Sequence, residues 1–145
     1  MNFSERPILL KEALSWLGKY DDINIDELSI KHMQVYPYYL KVKQGQSLDK
    51  GHPRGVYFNK RKLAFDKPCV CLTGTQSSIY HPTDSRVLST NEYKICSSFP
   101  MDMNFGDFLP NKKKWAMGMS VPPFMAQRIA LSIKRQWISV LNEKD

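Results

Sequence analysis

The stretch Arg86-Val87-Leu88-Ser89-Thr90-Asn91-Glu92 decides the local fold, because it carries the start signal of a helix. Ser89 followed three residues later by Glu92 fits a capping box, in which each side chain accepts a hydrogen bond from the other residue's backbone N–H. The helix must end before Pro100, since the residue before a proline is pushed out of the helical region. The spacing predicts a short helix with a buried side formed by Tyr93, Cys96 and Phe99.

Helical periodicity also marks both ends of the chain. After Pro7, residues 8–17 place apolar side chains at i, i+3, i+4 and i+7, and Gly18 follows as a C′ residue. These side chains belong to Leu10, Ala13, Leu14 and Leu17. A last helix is predicted to begin near Pro122 or Pro123, because proline is tolerated in the first turn. For about five turns its apolar side chains recur at every fourth residue, a spacing typical of core packing: Met125, Ile129, Ile133, Trp137 and Leu141.

Short β-type runs at 38–42, 55–58 and 69–73 occupy the middle, and residues 101–117 have the composition of a loop. The expected fold class is therefore α+β, with short twisted β-strands in the middle flanked by an N-terminal helix and a long C-terminal helix. Three regions follow. They are 1–35 (N-terminal helix and acidic connection), 36–100 (β region with its closing short helix) and 101–145 (loop, Gly-Met-Ser-Val-Pro-Pro turn and C-terminal helix).

The positive charge is concentrated in one segment. Residues 41–67 hold eight basic residues against Asp49 and Asp66, whereas the whole chain has a net charge of +7. Such clustering suits a polyanion partner, since each neutralised phosphate releases counterions. The alternative is a solvated face, which we favour for the triplet Lys112-Lys113-Lys114. Aromatic residues interleave with or flank the basic residues of 41–67, as expected for contacts to nucleobases and sugars. Aromatic residues at strand spacing are, however, usually part of the core.

Several functional classes find no support in the sequence. The chain has no run of about 18 apolar residues, and its start has no apolar h-region, so neither a spanning helix nor a signal peptide is expected. Three cysteines form no even disulfide framework, which favours reduced cytosolic thiols. No metal site is expected, because the histidines and cysteines do not fall at zinc-ligand spacing.

Two segments, taken in order, carry a family pattern. The first consists of Asp66-Lys67-Pro68, Leu72-Thr73, His81-Pro82, Arg86-Val87-Leu88-Ser89, Glu92 and Phe99-Pro100. The second is Gly118-Met119-Ser120-Val121-Pro122-Pro123, which runs into a helix. Together they resemble the C-terminal region of DNA (cytosine-5) methyltransferases, where an R-x-L-[ST]-x-R-E…F-P block precedes G-N-S-V-P-P. Residues 45–47 and 58–63 also look like the stretch before that block, so the resemblance covers roughly residues 36–135. The resemblance implies that this chain is a partial domain of such a methyltransferase.

The resemblance implies a cofactor role for the turn. In that family the turn and its helix line the S-adenosylmethionine pocket, which assigns cofactor contacts to Gly118, Met119, Ser120 and Val121. From the chemistry of the residues, Gly118 permits close backbone approach because it has no Cβ. Ser120 can contact the cofactor or act as the N-cap of the helix, and the two are not exclusive. The family's Asn is Met119 here, so an amide is lost at that position.

The earlier block implies a small, DNA-facing target-recognition domain. By resemblance Arg86 and Glu92 hold the join between that domain and the rest of the enzyme. From chemistry alone, Arg86 could fork onto Glu92, Asp84 or a DNA phosphate, and an internal structural role is favoured. A second departure is Asn91, which stands where the family has Arg.

The catalytic motifs of the family are absent from the sequence: the Pro-Cys nucleophile, the Glu-Asn-Val acid, the Gln-x-Arg-x-Arg strand and the F-x-G-x-G cofactor loop. Pro68-Cys69 echoes the nucleophile, but its neighbours do not match, and a buried free thiol is favoured for Cys69. The chain is therefore expected to be inactive alone, with no catalytic residue of its own.

The resulting hypothesis is a C-terminal portion or subunit of a DNA (cytosine-5) methyltransferase of a restriction-modification system, in a prokaryotic or phage cytoplasm near the nucleoid. It would provide DNA target recognition and complete the S-adenosylmethionine pocket, which exists only in the assembled enzyme. Its partners would be double-stranded DNA and a chain with the missing motifs, and self-association is possible when it is alone. The alternative is a non-catalytic DNA-binding or regulatory remnant. The candidates for phosphate contacts are Lys43, Arg54, Lys60, Arg61 and Lys62.

Overall fold

The computed structural model describes residues 6–18, 28–74 and 78–138. The predicted acidic connection and Leu141 lie outside these ranges, as does the side chain of Trp137. The helices are α1 (Leu10–Ser15), α2 (Tyr36–Lys41), α3 (Thr90–Cys96), α4 (Pro110–Met119) and α5 (Pro123–Ile133), the last continued by a π-helical turn at Lys134–Ile138. A 3₁₀ turn occupies Leu48–Gly51, and two short strands are β1 (Arg61–Lys62) and β2 (Ile79–Tyr80).

Helix α3 begins as the capping box predicts. The Ser89 hydroxyl accepts from the Glu92 backbone N–H at 3.1 Å, and Glu92 Oε2 accepts from the Ser89 N–H at 2.7 Å. Tyr93 is buried, and Cys96 and Phe99 pack against the same core from half-buried positions. The predictions of this helix and of its capping are confirmed.

The strands form a narrow ladder that runs through the middle of the chain. Strand β1 pairs in parallel with β2, with Arg61 opposite Ile79 and Lys62 opposite Tyr80. Single antiparallel bridges extend this pair on both sides, joining Ser47 to Arg61, Tyr80 to Val87, and Ser29 to Arg86. Five segments that are distant in sequence are thereby held side by side, although each contributes only one or two residues.

The ladder separates two apolar clusters, because successive side chains of a strand point to opposite faces. Ile79 packs into the first cluster and Tyr80 into the second. The first cluster joins α1, α3 and α4 through Leu10, Leu63, Ile79, Leu88, Tyr93 and Met117. The second surrounds α2 and consists of Ile30, Val35, Tyr39, Val42, Leu48 and Tyr80.

Four of the local predictions are wrong. Residues 55–58, predicted as a β-type run, form no strand in the described part of the chain, because Gly55 closes one turn and Tyr57 opens the next. Residues 38–42, predicted as extended, lie mostly in α2, where Pro37 suits the first turn and Tyr39 turns inward. Residues 69–73 pair with no strand among the described residues, and the Tyr93 hydroxyl holds them instead by donating to the Thr73 carbonyl at 2.5 Å. The predicted loop at 101–117 contains most of α4, which Pro110 opens and three lysines, good helix formers, extend.

The helix starts agree better with the sequence. Helix α5 begins at Pro123, as predicted, and α1 lies within the predicted range 8–17. Gly18 has a φ of +44°, but the prediction that it is the C′ residue is wrong, because α1 ends at Ser15 with Trp16 as its C-cap. None of the helices in the described ranges combines the length and apolar character needed to cross a bilayer.

Candidate functional site

Helix α5 has no buried residue along its whole length. Its apolar side chains are exposed instead, with Met125 at 55%, Ile129 at 39% and Ile133 at 50% of their full accessible area. The sequence predicts that this apolar stripe packs into the core of the chain. That prediction is wrong for the described residues of the stripe. The physical reason is that the first apolar cluster closes over Met117 of α4, one helix earlier.

The exposed apolar residues continue into α4 and the connection to α5. Trp115 is 52% exposed, Met119 67% and Val121 58%. We call the full set the C-terminal apolar surface: Trp115, Met119, Val121, Phe124, Met125, Ile129, Leu131 and Ile133. Single exposed apolar residues are ordinary, whereas a run of eight within 19 residues is typical of a surface that binds a partner.

The turn before α5 is anchored through a glycine. A Cβ on Gly118 would overlap the main chain of Thr73 and Gly74, so only glycine fits. Close backbone approach at Gly118 is thus confirmed, and the backbone that it approaches belongs to the chain itself. On the other side, a Cβ on Gly74 would lie 2.9 Å from the Trp115 ring and 3.4 Å from Met119 Cγ.

Ser120 is the C-cap of α4, and its hydroxyl donates to the Met117 carbonyl at 2.8 Å. The N-cap of α5 is Pro122, so the alternative that Ser120 caps this helix is wrong. Residues 118–121 thus offer an exposed hydroxyl and two exposed apolar side chains, Met119 and Val121. This composition suits one wall of a pocket for an aromatic, hydrogen-bonding ligand, with the other walls supplied from elsewhere.

The N-cap residue of α5 offers no side-chain hydrogen bond, and Ser98 supplies one instead. Its hydroxyl accepts from the Phe124 backbone N–H at 3.1 Å, and its own backbone is left-handed, with a φ of +59°. A non-glycine residue in this conformation is uncommon. Ser98 therefore joins the end of α3 to the start of α5, a role that nothing in the sequence pattern indicated.

Arg86 and Glu92 form a buried, two-pronged ion pair. The two guanidinium nitrogens donate to the two carboxylate oxygens at 2.6 and 2.8 Å, and both side chains are at most 5% exposed. Burial raises the pKa of Glu92, but hydrogen bonds from Arg86 and the Ser89 N–H, together with the Arg86 charge, outweigh it and leave the pKa below its usual value. Arg86 Nε also contacts Asp84 at 3.2 Å, so its guanidinium is held inside the chain.

Lys114 lies beside this ion pair. It is 2% exposed, and its ammonium donates to the Leu88 carbonyl at 2.5 Å. Burial lowers its pKa to about 8, against an opposing effect of the Glu92 charge. The prediction of a solvated lysine triplet is therefore wrong for Lys114, whereas Lys112 is exposed. The only feature of the sequence that could have indicated burial of Lys114 was its helical spacing before Met117.

The structure divides the basic candidates into two groups. Lys43, Arg54 and Arg61 are exposed. Lys62 is half-buried, and its ammonium donates to the Tyr39 and Val42 carbonyls at 3.3 Å while lying 4.1 Å from the centre of the Tyr39 ring. Lys60 is half-buried as well, 3.4 Å from the Tyr80 hydroxyl, and burial lowers the pKa of both lysines. Lys62 therefore contributes mainly to the chain's own packing.

The three cysteines are free thiols. A hydrogen bond with Cys69 and burial together raise the pKa of Cys96, so its thiol stays protonated. Cys69 is half-buried, in line with an unreactive position. Among the described residues, no group of three potential metal-ligating side chains comes together.

The chain is similar to two curated methyltransferases. Type II methyltransferase M.AquIB of Picosynechococcus sp. is 30% identical over 115 residues, which cover 72% of this chain and 82% of M.AquIB. Type II methyltransferase M1.HphI of Haemophilus parahaemolyticus is 36% identical over 69 residues, which cover 47% of this chain but only 18% of M1.HphI. No protein-family model and no solved structure matches the chain. Because the similarity to M.AquIB extends over most of both proteins, the chain belongs to the type II methyltransferase family.

Proposed function

We propose that this chain is the C-terminal portion or subunit of a DNA (cytosine-5) methyltransferase, and that another chain or segment supplies the nucleophile. One observation carries the proposal: α5 has no buried residue although its composition is largely apolar. An isolated helix of 11 residues is marginal in water and gains its stability from packing. A catalytic domain seated on the C-terminal apolar surface would provide that packing.

The comparisons support a division of the enzyme into parts. The 115-residue match takes in most of this chain and most of M.AquIB, so M.AquIB is about as long as this chain. M1.HphI is more than twice as long, and the chain spans 18% of it. A type II methyltransferase protein of about this length supports the proposal that a chain of this size is one part of such an enzyme.

The proposed cofactor is S-adenosylmethionine, which would supply the methyl group. Met119 and Val121 are exposed beside the Ser120 hydroxyl, and they would form one wall of its pocket. Gly118 would act indirectly, by locking the turn against Thr73 and Gly74. The remaining walls would come from the partner, since 118–121 contains no charged group to hold the ligand's amino acid moiety.

The proposed substrate is duplex DNA, held by the basic segment 41–67. Lys43, Arg54 and Arg61 are the phosphate contacts that we propose, because their charged ends are exposed. Lys60 would make a weaker contribution from its half-buried position. Arg86 and Glu92 would stabilise the join between the DNA-facing ladder and α3, as a buried pair that touches no DNA.

The second candidate is a non-catalytic DNA-binding remnant, and one observation favours it. Met119 stands where the resembling family has Asn, so an apolar side chain replaces an amide at this position. Such a remnant would bind duplex DNA with steep salt dependence and no response to S-adenosylmethionine.

We propose that an adjacent reading frame encodes the missing motifs, and the test is reconstitution with the product of that frame. The two chains are mixed with plasmid DNA and isotope-labelled S-adenosylmethionine, and the labelled nucleoside is identified by mass spectrometry. We expect association of the chains and label on C5 of cytosine. Label on an exocyclic amine would refute the cytosine-5 assignment, and DNA binding without any methylation would favour the remnant.

A pair of matched variants tests the docking surface. Ile129→Asp places a charge on α5 within the apolar surface, whereas Gln127→Asp places the same charge at an exposed polar position of the same helix. We expect Ile129→Asp to abolish association and methylation, and Gln127→Asp to retain both. Neither should alter thermal unfolding of the lone chain, because neither side chain is buried. Equal association by both variants would show that α5 is not the docking surface.

A further inference from the structure

The loop from His52 to Lys60 is built from two consecutive turns. The first is closed by the Gly55 N–H, which donates to the His52 carbonyl at 3.0 Å, and the second by the Lys60 N–H, which donates to the Tyr57 carbonyl at 2.9 Å. The corner residues of both turns are exposed: Pro53, Arg54, Phe58 and Asn59. The loop therefore presents one cation and one aromatic ring at its two corners.

The second turn is held firmly from beneath. The Ser47 hydroxyl lies 2.6 Å from the Phe58 carbonyl, and the Leu48 N–H donates to the Lys60 carbonyl at 2.7 Å. Tyr57 has a φ of +72°, a left-handed conformation that is costly for a large side chain. Such strain persists only where the surroundings fix it, and it concentrates at functional sites.

The aromatic neighbours of Tyr57 show what fixes it. Its ring lies 5.8 Å from Tyr38 and 5.4 Å from His52, while the Lys60 ammonium is 5.7 Å from its centre. The ring of Tyr57 is thus turned towards the body of the chain, and the adjacent Phe58 remains outside.

Phe58 is 77% exposed, the largest exposed fraction among the large apolar side chains of the described ranges. Packing does not explain a phenylalanine at this corner, because its side chain is mostly in solvent. Its surroundings in sequence are basic: Arg54 and Arg61 are exposed, and the segment 41–67 holds eight bases against two acids. An exposed ring among exposed cations is the combination that stacks on nucleic acid bases while the cations hold phosphates.

We propose that Phe58 is a base-stacking residue, which inserts its ring into a partly unstacked base step of duplex DNA while Arg54 and Arg61 hold the flanking phosphates. The inference rests on the proposed function, in that the chain must bind DNA. A protein partner fits this corner less well, because protein interfaces place aromatic anchors among apolar neighbours and deplete charge at their centre. Within the described ranges, the longest run of exposed apolar side chains lies in residues 115–133 instead.

The experiment measures binding of a mixed-sequence, fluorescently labelled duplex by the full chain, alone and in complex with the adjacent-frame product, at several salt concentrations. We expect Phe58→Ala to weaken binding by about five-fold or more at every salt concentration, with an unchanged slope of log affinity against log salt. Arg61→Gln should instead reduce that slope by about 1, since it removes a phosphate contact. Phe108→Ala is the matched control, because Phe108 is 61% exposed but lies outside the basic segment.

A spectroscopic readout separates stacking from a loss of shape. In Phe58→Trp the indole emission should be quenched on addition of duplex, relative to Phe108→Trp, because stacking on bases brings the ring into direct contact with them. If wild-type chain binds no duplex in either form, the proposed function and this inference both fail. If wild type binds and Phe58→Ala binds equally well, the inference alone is overturned. Loss of partner association with normal DNA binding in Phe58→Ala would overturn it too, by assigning the ring to a protein interface.

Discussion

Replacement of Glu92 by Gln tests how much the buried ion pair stabilises the chain. The substitution keeps the shape of the side chain and one acceptor for the Ser89 N–H, but removes the negative charge. Arg86, only 4% exposed, would keep the Asp84 carboxylate at 3.2 Å and the Val87 carbonyl at 3.3 Å. Removing one partner of a buried pair typically costs about 3–5 kcal/mol. Since Asp84 compensates in part, we expect the free energy of unfolding to fall by about 3 kcal/mol.

The chain contains a matched control at Glu12. Arg6 donates to both Glu12 oxygens at 2.7 and 2.8 Å, across the same six-residue spacing, and Glu12 also accepts the Leu9 N–H at 3.0 Å. Burial is the main difference between the two pairs, since the Arg6 and Glu12 side chains are 72% and 30% exposed. Hydrogen bonds from Arg6 lower the pKa of Glu12 to about 2, but water screens such a pair. Glu12→Gln should therefore destabilise much less than Glu92→Gln.

Urea unfolding and thermal unfolding of the lone chain at pH 7, both followed by circular dichroism, measure the free energy of unfolding and the melting temperature of both variants. We expect the melting temperature of Glu92→Gln to fall by about 10 °C. The difference in free energy of unfolding between wild type and Glu92→Gln should be complete above the unfolded-state pKa of Glu92, about 4.5. It should shrink as the pH falls through the lowered folded-state pKa, because Glu92 of the wild type then loses its charge. Equal destabilisation by Glu12→Gln and Glu92→Gln would refute the reasoning that burial sets the magnitude.

Three further predictions concern residues around α4 and α5. Lys114 has a folded pKa of about 8 and an unfolded pKa of 10.5, so the wild-type free energy of unfolding should rise between about pH 8 and 10.5, and Lys114→Met should flatten that rise in urea titrations. Gly118→Ala should lower stability by about 1–3 kcal/mol, because its Cβ overlaps the Thr73 and Gly74 main chain; differential scanning calorimetry would detect this. Ser98→Ala should leave the melting temperature nearly unchanged but increase hydrogen exchange at the Phe124 N–H, which loses its cap.

Local signals in the sequence were sufficient where one short motif determines the structure. Ser89 and Glu92 specify the start of α3 by themselves, and Pro123 specifies the start of α5. Glycine at position 118 was correctly associated with a close backbone approach, since no other residue permits one. These features depend on contacts within a few residues or on the absence of a side chain, and both can be inferred from a single chain.

The features that sequence reasoning missed depend on contacts between distant segments. Tyr36–Lys41 has the aromatic composition of a strand, but burial of Tyr39, whose hydroxyl donates to the His81 carbonyl at 3.0 Å, favours a helix. Lys114 was placed on a solvated face because its partner, the Leu88 carbonyl, lies 26 residues away. Ser98 gave no signal at all, since its cap belongs to a helix that begins 25 residues later.

The body of the chain and its C-terminal helix have separate sources of stability, and this separation supports a role as a subunit. The two apolar clusters and the Arg86–Glu92 pair lie within residues 10–117, so the body is stabilised without α5. Helix α5 receives one hydrogen bond from Ser98 and buries none of its side chains. A partner that binds α5 therefore stabilises the helix without competing with the core of the chain. It follows that substitutions on α5 should weaken assembly while the melting temperature of the body stays constant, whereas substitutions in the Arg86–Glu92 pair should lower both.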